Sequence, residues 1–241
     1  MGDGAVWIVG GLDPSGGGGV LRDAATVHAV APERPVHVVI TALTQQGDGK
    51  KAVAGPMDAS ALVFQFKRAP TPAAVKVGLV PAAVASIVAE ALEAVDAPKV
   101  VDPVLSASIG GPMTATPEAL LALMDGALVT PNRKEYDALV GGADPEGWLE
   151  IHGAVGLLRK GGHDGGQQVS DTLWTPRGVR AYSRPRIEGP DPRGTGCALA
   201  AAIACGLADG CEMQAAVGKG IAWLDSVRGQ ARSVGGQVLL A

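Results

Sequence analysis

The stretch whose residue types and order can do chemistry is Arg193-Gly194-Thr195-Gly196-Cys197-Ala198. It follows a segment broken by Pro190 and Pro192 and leads into an apolar run, Ala198 to Leu207, long and alanine-rich enough for a helix. Small residues at a helix N-terminus let a ligand come close to the backbone and meet its unpaired N–H groups. With the positive end of the helix dipole added, such a turn binds anions. Cys197 falls in the first turn, where the same field favours thiolate over thiol and makes the sulfur a candidate base. Taken alone, the motif reads equally well as an ordinary capped turn followed by a small buried hydrophobe.

Further candidates stand where strands are expected to end. Ala5 to Gly10 is a continuous apolar run, as in a buried parallel strand, followed by the loop Gly11-Leu12-Asp13-Pro14-Ser15-Gly16-Gly17-Gly18-Gly19 and a helical pattern from Val20 to Val30. A glycine loop between strand and helix reads either as a ligand loop at the carboxyl end of a strand or as a flexible connection, and this one is neither a Walker A loop nor a G-x-G-x-x-G fingerprint. Asp23, one turn into the helix, faces either that loop or solvent. Val36 to Leu43 is a second β-branched run, and Gln46 just beyond it is either a ligand contact in the crevice or a surface glutamine. The strand Lys99 to Val104 carries Asp102, placed to hold a metal-bound water or to orient phosphates. Ala127 to Thr130 runs into Pro131-Asn132-Arg133-Lys134-Glu135, whose amide and acid open a helix ending near Val140. After the strand Ala154 to Arg159 comes Lys160-Gly161-Gly162-His163, in which Lys160 is either a cation for nucleotide phosphates or a solvated charge.

The elements that must position these residues alternate in type. Lys50 to Pro56 reads as a short strand or flap, and Asp58 caps a helix to about Lys67. A strand from Ala74 to Leu79 precedes a helix from Ala82 to Val95 opened by Pro81, and Thr116-Pro117-Glu118 starts another. A helix spans Pro145 to His152. Val169 to Trp174 and Gly178 to Ser183 predict an antiparallel hairpin at a sheet edge, and the last helix runs from Glu212 to about Arg228 before an irregular tail. Together these predict an α/β fold in one domain, residues 1–241, with a mainly parallel sheet covered by helices on both faces.

Composition bounds the partners. With 47% hydrophobic and 18% charged residues the 241-residue chain is globular, and its core must be built from Ala, Val and Leu because aromatics are only 3%. That scarcity argues against stacking single-stranded bases, and a net charge of −4 against general nucleic-acid binding. No basic leader and no apolar run near the roughly 20 residues of a membrane span is visible, so a soluble cytoplasmic protein is expected. Cys197, Cys205 and Cys211 read as reduced thiols, with neither disulfide nor zinc spacing.

Gly11-Leu12-Asp13-Pro14-Ser15-Gly16-Gly17, Val39-Ile40-Thr41-Ala42-Leu43, Asp102-Pro103-Val104, Thr130-Pro131-Asn132 with Glu135, Lys160-Gly161-Gly162-His163 and Gly194-Thr195-Gly196-Cys197 stand in a telling order. In order and spacing they resemble the hydroxymethylpyrimidine/phosphomethylpyrimidine kinases, from about residue 6 to residue 229. The resemblance implies a ribokinase-like three-layer α/β/α fold with an antiparallel edge on the central sheet. It also implies a phosphotransferase of thiamine biosynthesis that moves phosphate from ATP to the hydroxymethyl group of an aminopyrimidine, then to its monophosphate.

The same resemblance implies that Cys197 deprotonates the hydroxyl while the N–H groups of Gly194, Thr195 and Gly196 stabilise charge on the phosphoryl oxygens. Asp23 and Gln46 would bind the pyrimidine edges, with Gly11, Asp13 and Val104 on the substrate side. Lys160, Asn132 and Gly162 would meet ATP, and Asp102 and Glu135, with Asn132, would order Mg²⁺ and its waters. A homodimer is implied too, and the apolar residues from Val169 to Trp174 suit one.

Four departures from the family pattern stand out: Ala107-Ser108-Ile109-Gly110 has no lysine, Arg193 replaces a histidine, Leu79 replaces a methionine, and the Gly/His-rich C-terminal ending is absent. A pyridoxine/pyridoxal kinase and a non-catalytic pyrimidine-binding protein are the competing readings. Gln46, offering both donor and acceptor, favours the aminopyrimidine.

Overall fold

A computed structural model describes residues 4–47, 50–105, 115–162, 164–189, 191–234 and 237–240. The chain begins β1 (Ala5–Leu12), α1 (Gly19–Val30), β2 (Val36–Gly47), β3 (Lys50–Pro56), α2 (Ala59–Lys67) and β4 (Pro72–Val77). A 3₁₀ turn, Ala82–Val84, leads into α3 (Ala85–Glu93), followed by β5 (Lys99–Val101), α4 (Pro117–Leu121), β6 (Ala127–Val129), α5 (Arg133–Val140), α6 (Pro145–His152) and β7 (Gly156–Arg159). Then come β8 (Gln168–Thr175), β9 (Gly178–Pro185), α7 (Thr195–Ala208), α8 (Met213–Arg228), β10 (Arg232–Val234) and β11 (Gln237–Leu239).

Nine strands form one sheet in the order β3-β2-β1-β4-β5-β6-β7-β8-β9. The six strands from β2 to β7 in that order are parallel, while β3 at one end and β8 at the other run against them, and β9 pairs antiparallel with β8. Alternation along β1 shows why both faces must be covered. Ala5, Trp7 and Val9 enter one apolar cluster, with Leu62, Val88, Leu120, Leu139 and Trp148 of the helices α2 to α6. Val6 and Ile8 enter the other, with Val20, Leu199, Ile203, Val217 and Ile221 of α1, α7 and α8. β1 lies between β2 and β4, so the strand order reverses beside it, and ligands of such sheets sit beyond the carboxyl ends of the strands at that switch point. Among the described residues no helix is long and apolar enough to cross a membrane.

The hairpin of β8 and β9 ends the sheet as expected, but two other expectations are corrected. The apolar residues of β8 do not form the edge: Val169 and Leu173 are buried, and β9 lies outside them, exposing Val179 and Arg180. The apolar edge expected from Val169 to Trp174 is therefore covered. The tail is not wholly irregular either, because β10 and β11 pair as an antiparallel ribbon. Its carbonyls find donors from distant parts of the chain: Arg193 N–H donates to Val238 O and Arg22 to Leu240 O, neither visible in the local pattern.

Candidate active site

Backbone hydrogen bonds carry the parallel ladder past its strand ends. Gly78 N–H donates to Val9 O, Asp102 to Val77 O, Thr130 to Val101 O and Lys160 to Pro131 O, each at 2.8 Å. The residues after β4, β5, β6 and β7 are thus held in line, and the start of α7 lies over them. A Cβ added to Gly196 would stand 3.2 Å from Lys160 Nζ and 3.7 Å from Asp102 Oδ2.

Gly194 precedes α7 with φ 79°, and a side chain there would run into the carbonyl oxygen of Gly17. Only glycine allows both the left-handed backbone and this contact between the turn and the glycine loop. No side-chain hydrogen bond caps α7, which leaves its first-turn N–H groups for an anion. Gly194→Ala should therefore destabilise the fold by about 1–3 kcal/mol and lower turnover at least tenfold, on the order of what a strained backbone and a displaced donor cost. Thermal melts and steady-state rates check it.

Cys197 is half-buried. Its thiol stands close enough to the Gly19 backbone and to the Asp102 carboxylate for each to act on its proton. The expectation of a thiolate is overturned. Burial pushes the thiol up to about 12, the Asp23 and Asp102 carboxylates push the same way, and the Lys76 ammonium opposes them without prevailing. The helix-end field is outweighed by desolvation and two nearby anions.

Beneath the turn lie two ion pairs, one largely and one wholly buried. Lys160 Nζ is 2.6 Å from Asp102 Oδ1. Burial alone would raise Asp102 and lower Lys160, yet the Lys160 and Lys76 ammoniums hold Asp102 below its usual range, and Asp102 and Glu135 hold Lys160 above its own. Lys76 Nζ is 2.7 Å from Asp23 Oδ2, with the two side chains 0% and 1% exposed. Lys76 shares the face of Ala74 on β4, beneath α1 and α7, and Gly78 leaves room for it, since a Cβ there would lie 2.7 Å from Nζ. Asp23 is pushed up to about 6 by burial against the pull of Lys76. Its Oδ1 has no hydrogen-bond partner among the described residues, but a pyrimidine would reach it only by displacing what covers it.

Sequence reasoning missed Lys76. The signal was there: a lysine between Val75 and Val77, in a strand covered on both faces, cannot reach water and must find a buried partner.

Asn132 and Glu135 form a capping box at the start of α5: Glu135 N–H donates to Asn132 Oδ1 at 3.1 Å and Asn132 N–H to Glu135 Oε2 at 2.8 Å. Burial raises Glu135 to about 7, with Asp102 adding and Lys160 opposing. A carboxyl raised by folding holds its proton more tightly in the native state, so its stabilising share is complete below its unfolded pKa and is lost as pH rises through the folded one. Glu135→Gln keeps an acceptor for Asn132 and removes this titration. Relative to the parent chain it should gain on the order of 2–3 kcal/mol between about pH 5 and about pH 8, read from urea midpoints.

Around this centre, Asp13 departs from its expected part as a substrate contact. Its Oδ1 accepts from Ser15 N–H and Oγ at 3.0 and 2.8 Å, and its Oδ2 pairs with Arg193, so both oxygens are spent on shaping the loop. Gly11 closes against Leu79 and Thr44: a Cβ there would lie 2.8 Å from Leu79 Cδ2 and 3.2 Å from Thr44 Cγ2. Leu79 packs with Ala42, Ala54 and Val104 into a small apolar wall. Gly162 lies beyond β7, its carbonyl accepting from Arg186 Nη1 at 2.8 Å. The Gln46 side chain, residues 106–114 with Ser108, and His163 lie outside the described residues.

Among the described residues no three His, Cys, Asp or Glu side chains gather as a metal cage. Asp102 and Glu135 are two hard oxygen donors close enough to influence each other. That pair fits a Mg²⁺ carried in by a nucleotide, which takes one or two carboxylates and otherwise phosphate and water.

Residues 13–239 match the family model described as phosphomethylpyrimidine kinase. A hydroxymethylpyrimidine/phosphomethylpyrimidine kinase from Rhizobium meliloti is 32% identical over 240 residues, 90% of this chain and 87% of that one. Its namesake from Streptomyces coelicolor is 34% identical over 229 residues, 88% and 84% of the two chains. Among solved structures, a pyridoxal kinase from Staphylococcus aureus in complex with ADP shares the fold with a TM-score of 0.86 at 23% identity, covering 99% of this chain and 93% of its own. A phosphomethylpyrimidine kinase from Clostridium difficile gives 0.75 at 26% identity, covering 92% and 98%.

Proposed function

This chain belongs to the phosphomethylpyrimidine kinase family, and on that footing we propose one kinase domain, residues 1–241, acting in thiamine biosynthesis. It transfers the γ-phosphoryl group of ATP to the hydroxymethyl group of 4-amino-5-hydroxymethyl-2-methylpyrimidine and then to the monophosphate so formed. One observation carries the reading: Cys197, the uncapped start of α7 and the Lys160–Asp102 pair are stacked at one end of the sheet. They supply the three things phosphoryl transfer asks of a protein, a proton path, donors for the migrating oxygens and a cation.

The N–H groups of Gly194, Thr195 and Gly196 receive the phosphoryl oxygens, and Lys160 meets the nucleotide phosphates beside Asn132 and the backbone of Gly162. Asp102 and Glu135 hold Mg²⁺, which neutralises phosphate charge when bound. Gly11, Leu79 and Val104 shape the apolar side of the pyrimidine pocket, and Gln46 reads its edge.

Cys197 starts as a thiol, so it takes the substrate's proton only by passing its own to Asp102, whose carboxylate it stands close enough to influence. The hydroxyl becomes acidic late in a loose transition state.

The test is purified protein with ATP, Mg²⁺ and either the hydroxymethylpyrimidine or pyridoxal, following ADP release. Release with the pyrimidine is expected. Release with pyridoxal alone reassigns the enzyme as a pyridoxal kinase, and tight binding without release makes it a pyrimidine-binding protein. A cytoplasmic homodimer belongs to the same proposal, and light scattering reads its copy number.

A further inference from the structure

We propose that Arg193 and Asp13 form a clasp that locks the glycine loop after β1 to the turn before α7, making Arg193 a positioning residue for the transfer. Three stretches far apart in the chain meet at this one residue. Its Nη2 lies 3.1 Å from Asp13 Oδ2 and its Nη1 3.2 Å from Ser15 Oγ. The Arg193 and Asp13 side chains are 10% and 1% exposed, so the pair is largely withdrawn from water. Ser15 Oγ also accepts from Gly17 N–H at 3.3 Å, which carries the hold along the loop. On the backbone side, Arg193 N–H donates to Val238 O at 2.9 Å, and Arg193 bridges Leu239 in parallel register.

The same two loops are therefore joined twice, once by backbone contact between Gly194 and Gly17 and once by the guanidinium. A guanidinium suits this because its planar fork fixes two donors toward two acceptors, whereas the three donors of an ammonium rotate on a flexible stem. The loop runs into α1 at Gly19, and the carbonyl of its Gly17 lies against Gly194, the residue that opens the anion-binding turn. Its setting thus bears on how that turn meets a phosphoryl group. Arg193 acts through that loop, and a small misplacement in such a transfer is costly.

The rate readout rests on the kinase reading, whereas the structural readout does not. Arg193→Ala and Asp13→Asn should each lower kcat about 10- to 100-fold with KM for ATP within about twofold, as expected for lost alignment with binding intact. Each should also speed amide hydrogen exchange across Gly16 to Gly19. The double variant should lose no more than the worse single one, because both changes open the same clasp. Arg193→Lys, which keeps the charge and loses the fork, should fall between. If Arg193→Ala does not accumulate folded, Asp13→Asn against the double variant, which leaves no unpaired buried charge, decides the same question. Losses that multiply in the double variant, or loop exchange unchanged in the single ones, overturn the clasp. Should the parent chain fail to turn over the pyrimidine, the kinase reading falls, and exchange alone judges the clasp.

Discussion

Cys197→Ala is expected to lower kcat by about 10²- to 10⁴-fold, the range a positioned proton acceptor contributes, while KM values for ATP and pyrimidine change little. A thiol beside the Gly19 backbone and the Asp102 carboxylate can accept from the one and donate to the other, and alanine can do neither. Serine can do both, so Cys197→Ser should retain part of the rate, in the order Cys above Ser above Ala. Because the thiol is pushed up to about 12, the rate should show no thiolate titration between about pH 7 and about pH 9, and iodoacetamide should modify the free enzyme slowly in that range. An alanine variant as fast as the parent would remove sulfur from the proton path.

The largest effect on stability should come from Lys76→Met. The side chain it removes is the only hydrogen-bonding partner of Asp23 among the described residues, and both groups are shut away from water. Breaking a buried pair by deleting one member leaves an uncompensated charge and costs about 3–5 kcal/mol. In a chain of this size that is a fall of about 10 °C in Tm. Adding Asp23→Asn should recover most of the stability, since no buried charge then remains. It should not recover the rate, because the Lys76 ammonium also helps hold Asp102 ionised and opposes the rise of the Cys197 pKa. A double variant restored in both respects would reduce the pair to a structural part.

Much of this was legible in advance. Apolar runs ending in glycine or aspartate located β1 and β5, and Thr116-Pro117-Glu118 marked the start of α4 with its cap in place. Those signals are local: a strand or a cap is specified by neighbours within a few residues, which a window on the chain contains. The hairpin at the sheet edge was legible too, but the burial of its apolar residues was not: Val169 and Leu173 look the same in sequence whether they face the core or a second copy of the chain.

By itself, then, the chain determined the order of strands and helices and the loops at which chemistry gathers, because periodicity and glycine placement act over short distances. Only the tertiary structure decided that Cys197 is held as a thiol, that Lys76 answers Asp23, and that Arg193 ties residue 13 to a loop 180 positions away. Protonation and ion pairing follow from burial and from charges brought together through space, and neither exists until the sheet has closed.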